Sequence, residues 1–380
     1  MLNTLKIIAA VLTVIIDTIF VQVALGMNSV LIPLKLQSLA FNNAQIGIIL
    51  SIEIFAIVSI SRSVTTLIAK AGMNRILLIV PFIRFGILYS LPDLTTWYSW
   101  MAALYFYGLA TNVFLVSLQT WLNTIPLPKF KGLVIGAYSA SLSGGVALGP
   151  ILLTFIGSEG TEPFIINAYL CLFSFIPLLL VYNLIPKLAT DDKPRIMFVI
   201  KHAQAPYAAA FIGGITWFGL PSFLTIFGTA NKMSVESASL LLTMFMIGSV
   251  TLGWIVSSLS DLFDRRFVIM FCVFASLICA VFLPMAIFNV KYSYYLMFFW
   301  GGVMGGIYGI ALTMVGERFR LEDQVSANVA YVLMDATGGF IGVNLIGFAM
   351  QGMGSEGLAY VIVSGSVMYF LFALSKYRVS

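Results

Sequence analysis

Long apolar runs, each followed by a short polar connection, make up nearly the whole of this chain. A run of roughly 20 mostly apolar residues is long enough to span a bilayer as a helix. Only 9% of the residues are charged, against about 25% in soluble domains, so a water-soluble fold is excluded. We therefore predict an all-α integral membrane protein with twelve transmembrane helices. The predicted spans lie near 5–32, 44–69, 75–91, 97–124, 132–156, 163–185, 203–228, 235–259, 266–288, 292–315, 325–351 and 357–376.

The distribution of lysine and arginine predicts the orientation of these spans. Cytoplasmic connections of membrane proteins carry an excess of these two residues. Alternate connections are basic here, as at Lys129 and Lys131 or at Arg265 and Arg266, whereas the connections between them hold few basic residues and several acids. We therefore expect both termini on the cytoplasmic side.

The two halves of the chain repeat one pattern. Gly145-x-x-x-Gly149 lies in the fifth predicted span, and Gly338-x-x-x-Gly342 lies in the eleventh, about half the chain further on. Two parallel six-helix repeats are a plan that secondary transporters use, so we predict two pseudo-symmetric six-helix bundles. The expected division is an amino-terminal bundle over 1–186, a cytoplasmic linker over 187–202 and a carboxyl-terminal bundle over 203–380.

The turn between predicted spans eight and nine, residues 257–266, concentrates charge between two apolar runs. Together with the twelve spans and the central linker, this turn resembles the signature of the Major Facilitator Superfamily, Gly-x-Leu-Ala-Asp-Arg-x-Gly-Arg-Arg/Lys. The matching residues are Leu259, Asp261, Arg265 and Arg266. The resemblance implies that these four residues form a cytoplasmic gate motif, which holds the two bundles together while the cavity faces outward.

The corresponding turn in the first half of the chain has Ala69 where the signature has its acid. We therefore expect an asymmetric gate in which Asp261 has the larger part. Helix amino termini favour negative charge, so Asp261 is expected to cap the start of the fifth span.

Small residues in the fifth span form a second motif, which consists of Gly136, Gly145, Gly149 and Pro150. Glycines let helices approach closely, and proline bends a helix. The simplest interpretation is a packing face between the two bundles. The motif is also similar to the antiporter motif of the superfamily, which is associated with exporters, and this resemblance favours efflux.

Five ionisable residues lie within the predicted spans, where a charge at a helix centre costs about 2.5–3.5 kcal/mol. They are Asp17, Glu53, Arg62, Arg84 and Asp335. Asp17 is the first candidate for proton coupling because it lies about halfway along the first span, and Glu53 is the second. The alternative is that these groups form buried ion pairs, and Arg84 is a possible partner of Asp17. Asp335 shares a helix face with Gly338, which favours a buried hydrogen-bonding role.

Polar and aromatic residues on spans one, four, seven and ten are candidates for the substrate cavity, because the resemblance implies that these spans line it. Asp17 and Asn28 share one stripe of the first span at helical spacing. The complete candidate set is Asp17, Asn28, Tyr105, Asn112, Gln119, Trp217 and Tyr308. Such a site suits a small organic solute better than a strongly anionic one.

We predict a secondary active transporter of a small organic solute that works by alternating access, is coupled to protons and exports its substrate. The expected location is a bacterial inner membrane, and the expected state is a monomer. The alternative is a transport-inactive sensor or scaffold of the same fold. The one histidine, His202, lies in a polar connection and the three cysteines lie in apolar runs, so neither an enzyme nor a metal site is expected. The expected partners are the substrate, the lipid bilayer and the proton, with no cofactor and no nucleic acid.

Overall fold

The computed structural model describes residues 2–61, 63–125, 131–186, 196–319 and 321–377. All regular structure in these residues is helical. The helices are α1 (Leu2–Ser38), α2 (Asn43–Ile60), α3 (Val64–Ala71), α4 (Met73–Ser90), α5 (Trp97–Thr124), α6 (Lys131–Ile156), α7 (Glu162–Phe173), α8 (Phe175–Leu180), α9 (Ile196–His202), α10 (Gln204–Ala230), α11 (Val235–Leu259), α12 (Arg265–Ala286), α13 (Val290–Arg318), α14 (Leu321–Met353) and α15 (Gly357–Tyr377). Two short 3₁₀ helices, Leu91–Asp93 and Tyr182–Leu184, follow α4 and α8.

The helices agree with the predicted spans. Among the described residues, 11 helical segments are long and apolar enough to cross a membrane, and Gly357–Ala373 is a shorter apolar helix. The bounds of α5 and α11 coincide with those predicted, and most of the others differ from prediction by a few residues. The prediction of an all-α membrane protein is confirmed.

The span predicted at 44–69 is divided into α2 and α3. The Ser63 amide donates to the Ile60 carbonyl at 2.8 Å, which closes α2 with a tighter, 3₁₀-type bond. Arg62 lies outside the described residues. Gly72 then separates α3 from α4 at a φ of 86°, a left-handed backbone conformation that glycine adopts without steric cost.

The span predicted at 163–185 is divided into α7 and α8. Pro177 lies four residues after Phe173, so it has no amide hydrogen to donate to the Phe173 carbonyl, and its ring crowds that carbonyl. The interruption therefore has a local cause that the apolar pattern did not reveal. Pro150, in contrast, is accommodated within α6, which runs on to Ile156.

The chain packs as two compact units. The first comprises the described residues of Met1–Leu31 and Ser59–Asp192, and the second comprises those of Ile32–Val58 and Lys193–Ser380. The end of α1 and most of α2 are thus grouped with the second unit. Residues 187–195 of the predicted linker lie outside the described residues, and the division into two six-helix bundles stays a prediction.

One large apolar core holds the first unit together. Side chains of α1, α4, α5 and α8 meet there and exclude solvent almost completely. Its fully buried members include Val14, Leu77, Phe114, Leu118 and Leu178. This core fixes the helices that carry the buried polar residues of the first unit.

Glycines bring helices of the second unit into backbone contact. A β-carbon built on Gly248 of α11 would overlap the Phe298 carbonyl of α13, and one built on Gly301 of α13 would overlap the Phe245 carbonyl of α11. The relationship is reciprocal, so neither helix can carry a side chain at this crossing. Small residues serve this purpose within membranes, where packing rather than the hydrophobic effect drives helix association.

The beginning of α2 packs against α14 within the second unit. A β-carbon built on Gly47 would lie 3.0 Å from the Val343 carbonyl oxygen and 3.2 Å from the Cα of Gly347. The Asn43 amide donates to Oε1 of Gln351 at 3.1 Å. Glycine contacts and one hydrogen bond therefore attach α2 to α14.

Candidate functional site

Asp17 lies near the middle of α1 and has no exposed surface. Neither oxygen of its carboxyl group has a hydrogen-bond partner among the described residues. The adjacent Thr18 hydroxyl is used within the helix, where it donates to the Val14 carbonyl at 2.7 Å. An unpaired carboxylate is costly to bury. Asp17 is therefore a buried acid whose carboxyl group has no hydrogen-bond partner among the described residues.

Arg84 of α4 is also fully buried, and two aromatic side chains of α5 contact its guanidinium. Nη2 of Arg84 donates to the Tyr107 hydroxyl at 3.2 Å. Its Cζ lies 5.4 Å from the centre of the Tyr107 ring and 5.9 Å from the centre of the Phe114 ring. In the part of the chain that the structure describes, no hydrogen bond or ion pair joins Arg84 to Asp17. Tyr105 was predicted from the sequence, whereas Tyr107, on another face of the same helix, was not.

Asn28, a predicted cavity residue, is joined to Asn167 of α7. The Asn167 side-chain amide donates to Oδ1 of Asn28 at 2.8 Å and to the Ala24 carbonyl at 3.3 Å. Both asparagines are buried, and Nδ2 of Asn28 and Oδ1 of Asn167 have no hydrogen-bond partner among the described residues. One donor and one acceptor are thus left open. The sequence analysis missed Asn167, although a single amide within an apolar run was a usable signal.

The other candidates on α5 are less enclosed. Asn112 is half-buried, and Gln119 is exposed. The Tyr105 hydroxyl lies 3.3 Å from the Ser59 hydroxyl. Thr111, which the sequence analysis did not select, is buried on α5, and its hydroxyl has no hydrogen-bond partner in the described part of the chain.

Three candidates of the second unit, Trp217, Tyr308 and Asp335, line one small cavity together with Tyr331. The cavity volume is about 10 Å³, which is room for roughly one water molecule. The rings of Tyr308 and Tyr331 meet edge to face with their centres 5.3 Å apart, and the Tyr331 hydroxyl donates to the Tyr308 carbonyl at 3.4 Å. The structure thus brings the aromatic residues of α10 and α13 next to the acid of α14.

Backbone contact between α10 and α14 fixes the position of Asp335. A β-carbon built on Gly214 of α10 would overlap the Asp335 carbonyl, and one built on Gly338 of α14 would overlap the Phe211 carbonyl. Asp335 and Gly338 therefore lie along one seam, and the acid also borders the small cavity.

Glu53 is half-buried on α2, in the part of that helix that belongs to the second unit. Two residues further on, the ring of Phe55 lies 5.6 Å from that of Phe340 in α14, measured between centres. The two acids chosen as candidates for proton coupling, Asp17 and Glu53, thus belong to different units.

The gate motif forms the turn between α11 and α12, where Leu259 is exposed. The Asp261 carboxylate lies 3.8 Å from the Arg265 guanidinium, and the Asp261 side chain is 74% exposed. Asp264 caps α12, because its Oδ1 accepts a hydrogen bond from the Arg266 amide at 2.8 Å. Asp264, which stands where the signature has glycine, is therefore the N-cap of α12. The contact of Asp261 with the start of the fifth span stays a prediction.

Gly145 and Gly149 of the predicted glycine motif form a packing face. β-carbons built on Gly145 and Gly149 would overlap Gln22 and Gly26 of α1, which belong to the same unit. One built on Gly136 would meet no heavy atom of the described residues within 4 Å. The partner of Gly145 and Gly149 is α1, and a packing role for Gly136 stays a prediction. Nine helical residues turn the chain by about half a revolution, so Gly136 points away from the face of Gly145.

No group of three or more His, Cys, Asp or Glu residues in the described ranges could hold a metal ion. Nδ1 of His202 lies 2.8 Å from the Phe198 carbonyl one turn earlier in α9. The three cysteines, Cys171, Cys272 and Cys279, are buried, and their thiols are free.

Comparison with known proteins places the chain in a family. The profile of the Major Facilitator Superfamily matches residues 14–343 and 207–379. The Uncharacterized MFS-type transporter YcaD of Escherichia coli (strain UTI89 / UPEC) is 21% identical over 360 residues, which are 94% of this chain and 93% of that protein. The Uncharacterized MFS-type transporter YfkF of Bacillus subtilis (strain 168) is 22% identical over 228 residues, which are 58% of this chain and 55% of YfkF.

Solved structures of transporters share the fold. A mutant of the nucleoside transporter NupG superposes with a TM-score of 0.82 at 15% identity, covering 96% of this chain and 99% of NupG. The D-xylose-proton symporter superposes with a TM-score of 0.74 at 12% identity, covering 97% of each chain. Because the family profile covers most of its length, this chain belongs to the Major Facilitator Superfamily of membrane transporters.

Proposed function

We propose that this protein is a secondary active transporter that moves a small organic solute by alternating access and uses a proton bound at Asp17 to drive the cycle. In such transporters, two bundles expose a midplane site to each side of the membrane in turn. The observation that carries the proposal is the fully buried Asp17 carboxyl group, whose oxygens have no hydrogen-bond partner among the described residues.

A buried acid of this kind suits proton coupling for a physical reason. Ionisable groups at membrane depth are costly, and they mark proton relays and substrate paths. Binding a proton removes the charge of Asp17 and with it most of the cost of burial. Both carboxyl oxygens of Asp17 lack a hydrogen-bond partner among the described residues, so either oxygen is available to a proton. The D-xylose-proton symporter, which shares this fold, supports proton coupling as a mechanism that the fold accommodates.

Open hydrogen-bonding atoms support a neutral or cationic solute that has both donors and acceptors. In the first unit, Nδ2 of Asn28 offers a donor and Oδ1 of Asn167 offers an acceptor. In the second unit, Trp217 and Tyr308 present aromatic faces beside Asp335. A flat, polar ring with hydroxyl or amino groups suits each of these two sets taken by itself. Nucleosides have this chemistry, and NupG is named as a nucleoside transporter, so nucleosides are the first compounds to test.

We place the protein in a bacterial inner membrane as a monomer with both termini in the cytoplasm. The alternation of basic and acidic connections supports this orientation, and the bacterial relatives support the location. The similarity of Gly145, Gly149 and Pro150 to the antiporter motif favours export. Leu259, Asp261, Arg265 and Arg266 are the proposed cytoplasmic gate.

Proton-coupled transport in proteoliposomes tests the proposal. A thermal-shift screen of the purified protein against nucleosides, other metabolites and drugs first identifies a ligand, because a ligand stabilises the folded state that binds it. Accumulation of the labelled ligand is then driven by an imposed pH gradient. Asp17→Asn is expected to abolish gradient-driven accumulation, while exchange of labelled for unlabelled ligand continues. Asp93→Asn is the matched control, since it makes the same change at an exposed acid.

Unchanged accumulation in Asp17→Asn would refute the role of Asp17, and Glu53→Gln would be the next variant to measure. The competing function is a transport-inactive sensor or scaffold, which the loss of the signature acid at Ala69 favours. A ligand that binds the protein without exchange across the bilayer would support the sensor.

A further inference from the structure

A large cavity opens at one end of the second unit, distinct from the small cavity beside Asp335. Its volume is about 820 Å³. It lies where α10 and α12 begin and where α11, α13 and α15 end. Cavities that bind small molecules have volumes of about 300–1,000 Å³, so this one has room for a ligand much larger than an ion.

Positive charge dominates the lining of this cavity. Among the described residues, the basic side chains of the lining are Lys201, His202, Arg265, Arg266 and Arg318, and the acidic one is Asp264. Asp264 is already engaged as the cap of α12, and Arg265 lies 3.8 Å from Asp261. Lys201, Arg266 and Arg318 have no ion pair among the described residues. Three cations that line one cavity and have no ion pair among the described residues favour an anionic ligand.

The walls of the cavity are apolar. Side chains from α12, α13 and α15 form them, namely Ile269, Met270, Met314 and Phe372. A free inorganic anion would bind at the basic rim and leave these walls in contact with water alone. An amphiphile satisfies both parts, because its anionic group takes the cations while its apolar part covers the walls.

Exposed phenylalanines lead from the cavity along α12. Phe263 lines the cavity and is 60% exposed. Phe263 lies in the turn before α12, whereas Phe267 and Phe271, each 59% exposed, are four residues apart within the helix and lie near one face of it. This stripe offers a continuous path for acyl chains from the basic rim into the bilayer.

We propose that this cavity binds the headgroup of an anionic phospholipid, with the phosphate held by Lys201, Arg266 and Arg318 and the acyl chains lying along the phenylalanine stripe of α12. Basic pockets between transmembrane helices on the cytoplasmic side bind anionic lipid headgroups. The cavity faces the cytoplasm in the proposed orientation, but binding in micelles is measurable whichever way the chain is inserted.

Thermal unfolding of the purified chain in neutral detergent tests the proposal. Phosphatidylglycerol, phosphatidylcholine with the same acyl chains, and sodium phosphate are titrated in separate arms. We expect phosphatidylglycerol alone to raise the melting temperature in a saturable manner, and we expect 0.5 M NaCl to weaken the effect because salt screens exposed charges. In R266Q/R318Q, the apparent affinity for phosphatidylglycerol is expected to fall roughly 25-fold, at about fivefold for each lost charge.

The matched control is K232Q/K291Q, which removes two exposed charges from the other end of the helices of the same unit. Its affinity for phosphatidylglycerol is expected to stay unchanged. Equal stabilisation by phosphatidylcholine, equal weakening in the control or stabilisation by sodium phosphate alone would each overturn the assignment. If R266Q/R318Q does not fold, R318Q by itself is expected to show the fivefold loss, and unchanged binding in R318Q would likewise refute the proposal.

Discussion

The side-chain amide of Asn167 donates to Oδ1 of Asn28 at 2.8 Å and joins α7 to α1 within the first unit. The same amide reaches the Ala24 carbonyl at 3.3 Å. A buried amide shared by two helices fixes their relative depth, because sliding either helix by one residue would break both bonds. This pair therefore has a structural role as well as open atoms for a ligand.

Asn167→Ala is expected to destabilise the protein by about 1–3 kcal/mol. Hydrogen bonds between membrane helices average about 0.6 kcal/mol and reach about 1.7 kcal/mol, and the substitution also leaves a buried acceptor on Asn28 without a donor. Unfolding in detergent measures the loss. Asn344→Ala is the control, because among the described residues Asn344 donates to the Phe340 carbonyl of its own helix and to no other helix. Equal losses in the two variants would contradict an interhelical role for Asn167.

Tyr107→Phe is expected to cost about 1.5–3 kcal/mol, since it removes a hydrogen bond from a buried charged group but keeps the ring that contacts Arg84. Tyr98→Phe is the control, because Tyr98 is 70% exposed and its replacement is expected to change stability by less than about 0.5 kcal/mol. Chemical denaturation in detergent compares them. If Tyr107→Phe leaves the free energy of unfolding unchanged, the hydroxyl contributes nothing to holding Arg84.

Gly149→Ala is expected to destabilise the protein by at least about 1–3 kcal/mol, because its methyl group would overlap the backbone of Gly26 and force α1 away from α6. Gly136→Ala makes the same change on the same helix in open space. We expect it to be neutral or to stabilise by up to about 1 kcal/mol through helix propensity. Melting temperatures of the two variants test this contrast, and similar values for both would rule out the α1–α6 seam.

Asp264→Ala and Asp261→Asn are expected to separate helix stability from gating. Asp264 caps α12, so its loss should cost about 0.5–2 kcal/mol. The exposed pair of Asp261 and Arg265 should contribute no more than about 1 kcal/mol. If Asp261 belongs to the gate, Asp261→Asn should instead weaken the outward-facing state. Single cysteines introduced on the cytoplasmic side of the predicted transport cavity should then be labelled more rapidly. Unchanged labelling would leave Asp261 without a gating role.

Helical spans were predictable because lipid demands a continuous apolar helix of fixed length. The bounds of α5 and α11 follow directly from that demand. The interruption before α8 was not predicted, because a single proline, Pro177, changes the hydrogen bonding without changing the apolar pattern. The interruption between α7 and α8 therefore depends on backbone hydrogen bonding, which the hydropathy pattern does not report.

Candidate site residues were harder to predict, because a helix face is defined only relative to its neighbours. Trp217, Tyr308 and Asp335 were chosen on separate spans, and they meet at one cavity. Tyr107 and Asn167 were missed because their importance comes from partners on other helices, Arg84 and Asn28. Sequence spacing within one helix carries no information about such partners.

The cavity beside Asp335 has room for roughly one water molecule, so it cannot hold a solute while Trp217 and Tyr308 stay in place. Occupancy therefore requires that these side chains turn or that their helices part. Indole emission responds to the polarity and packing around the ring, and Trp217 forms part of the wall that must move. A change in indole emission should therefore accompany the arrival of a solute, and this change should be lost in Trp217→Phe, while the other five tryptophans of the chain continue to fluoresce.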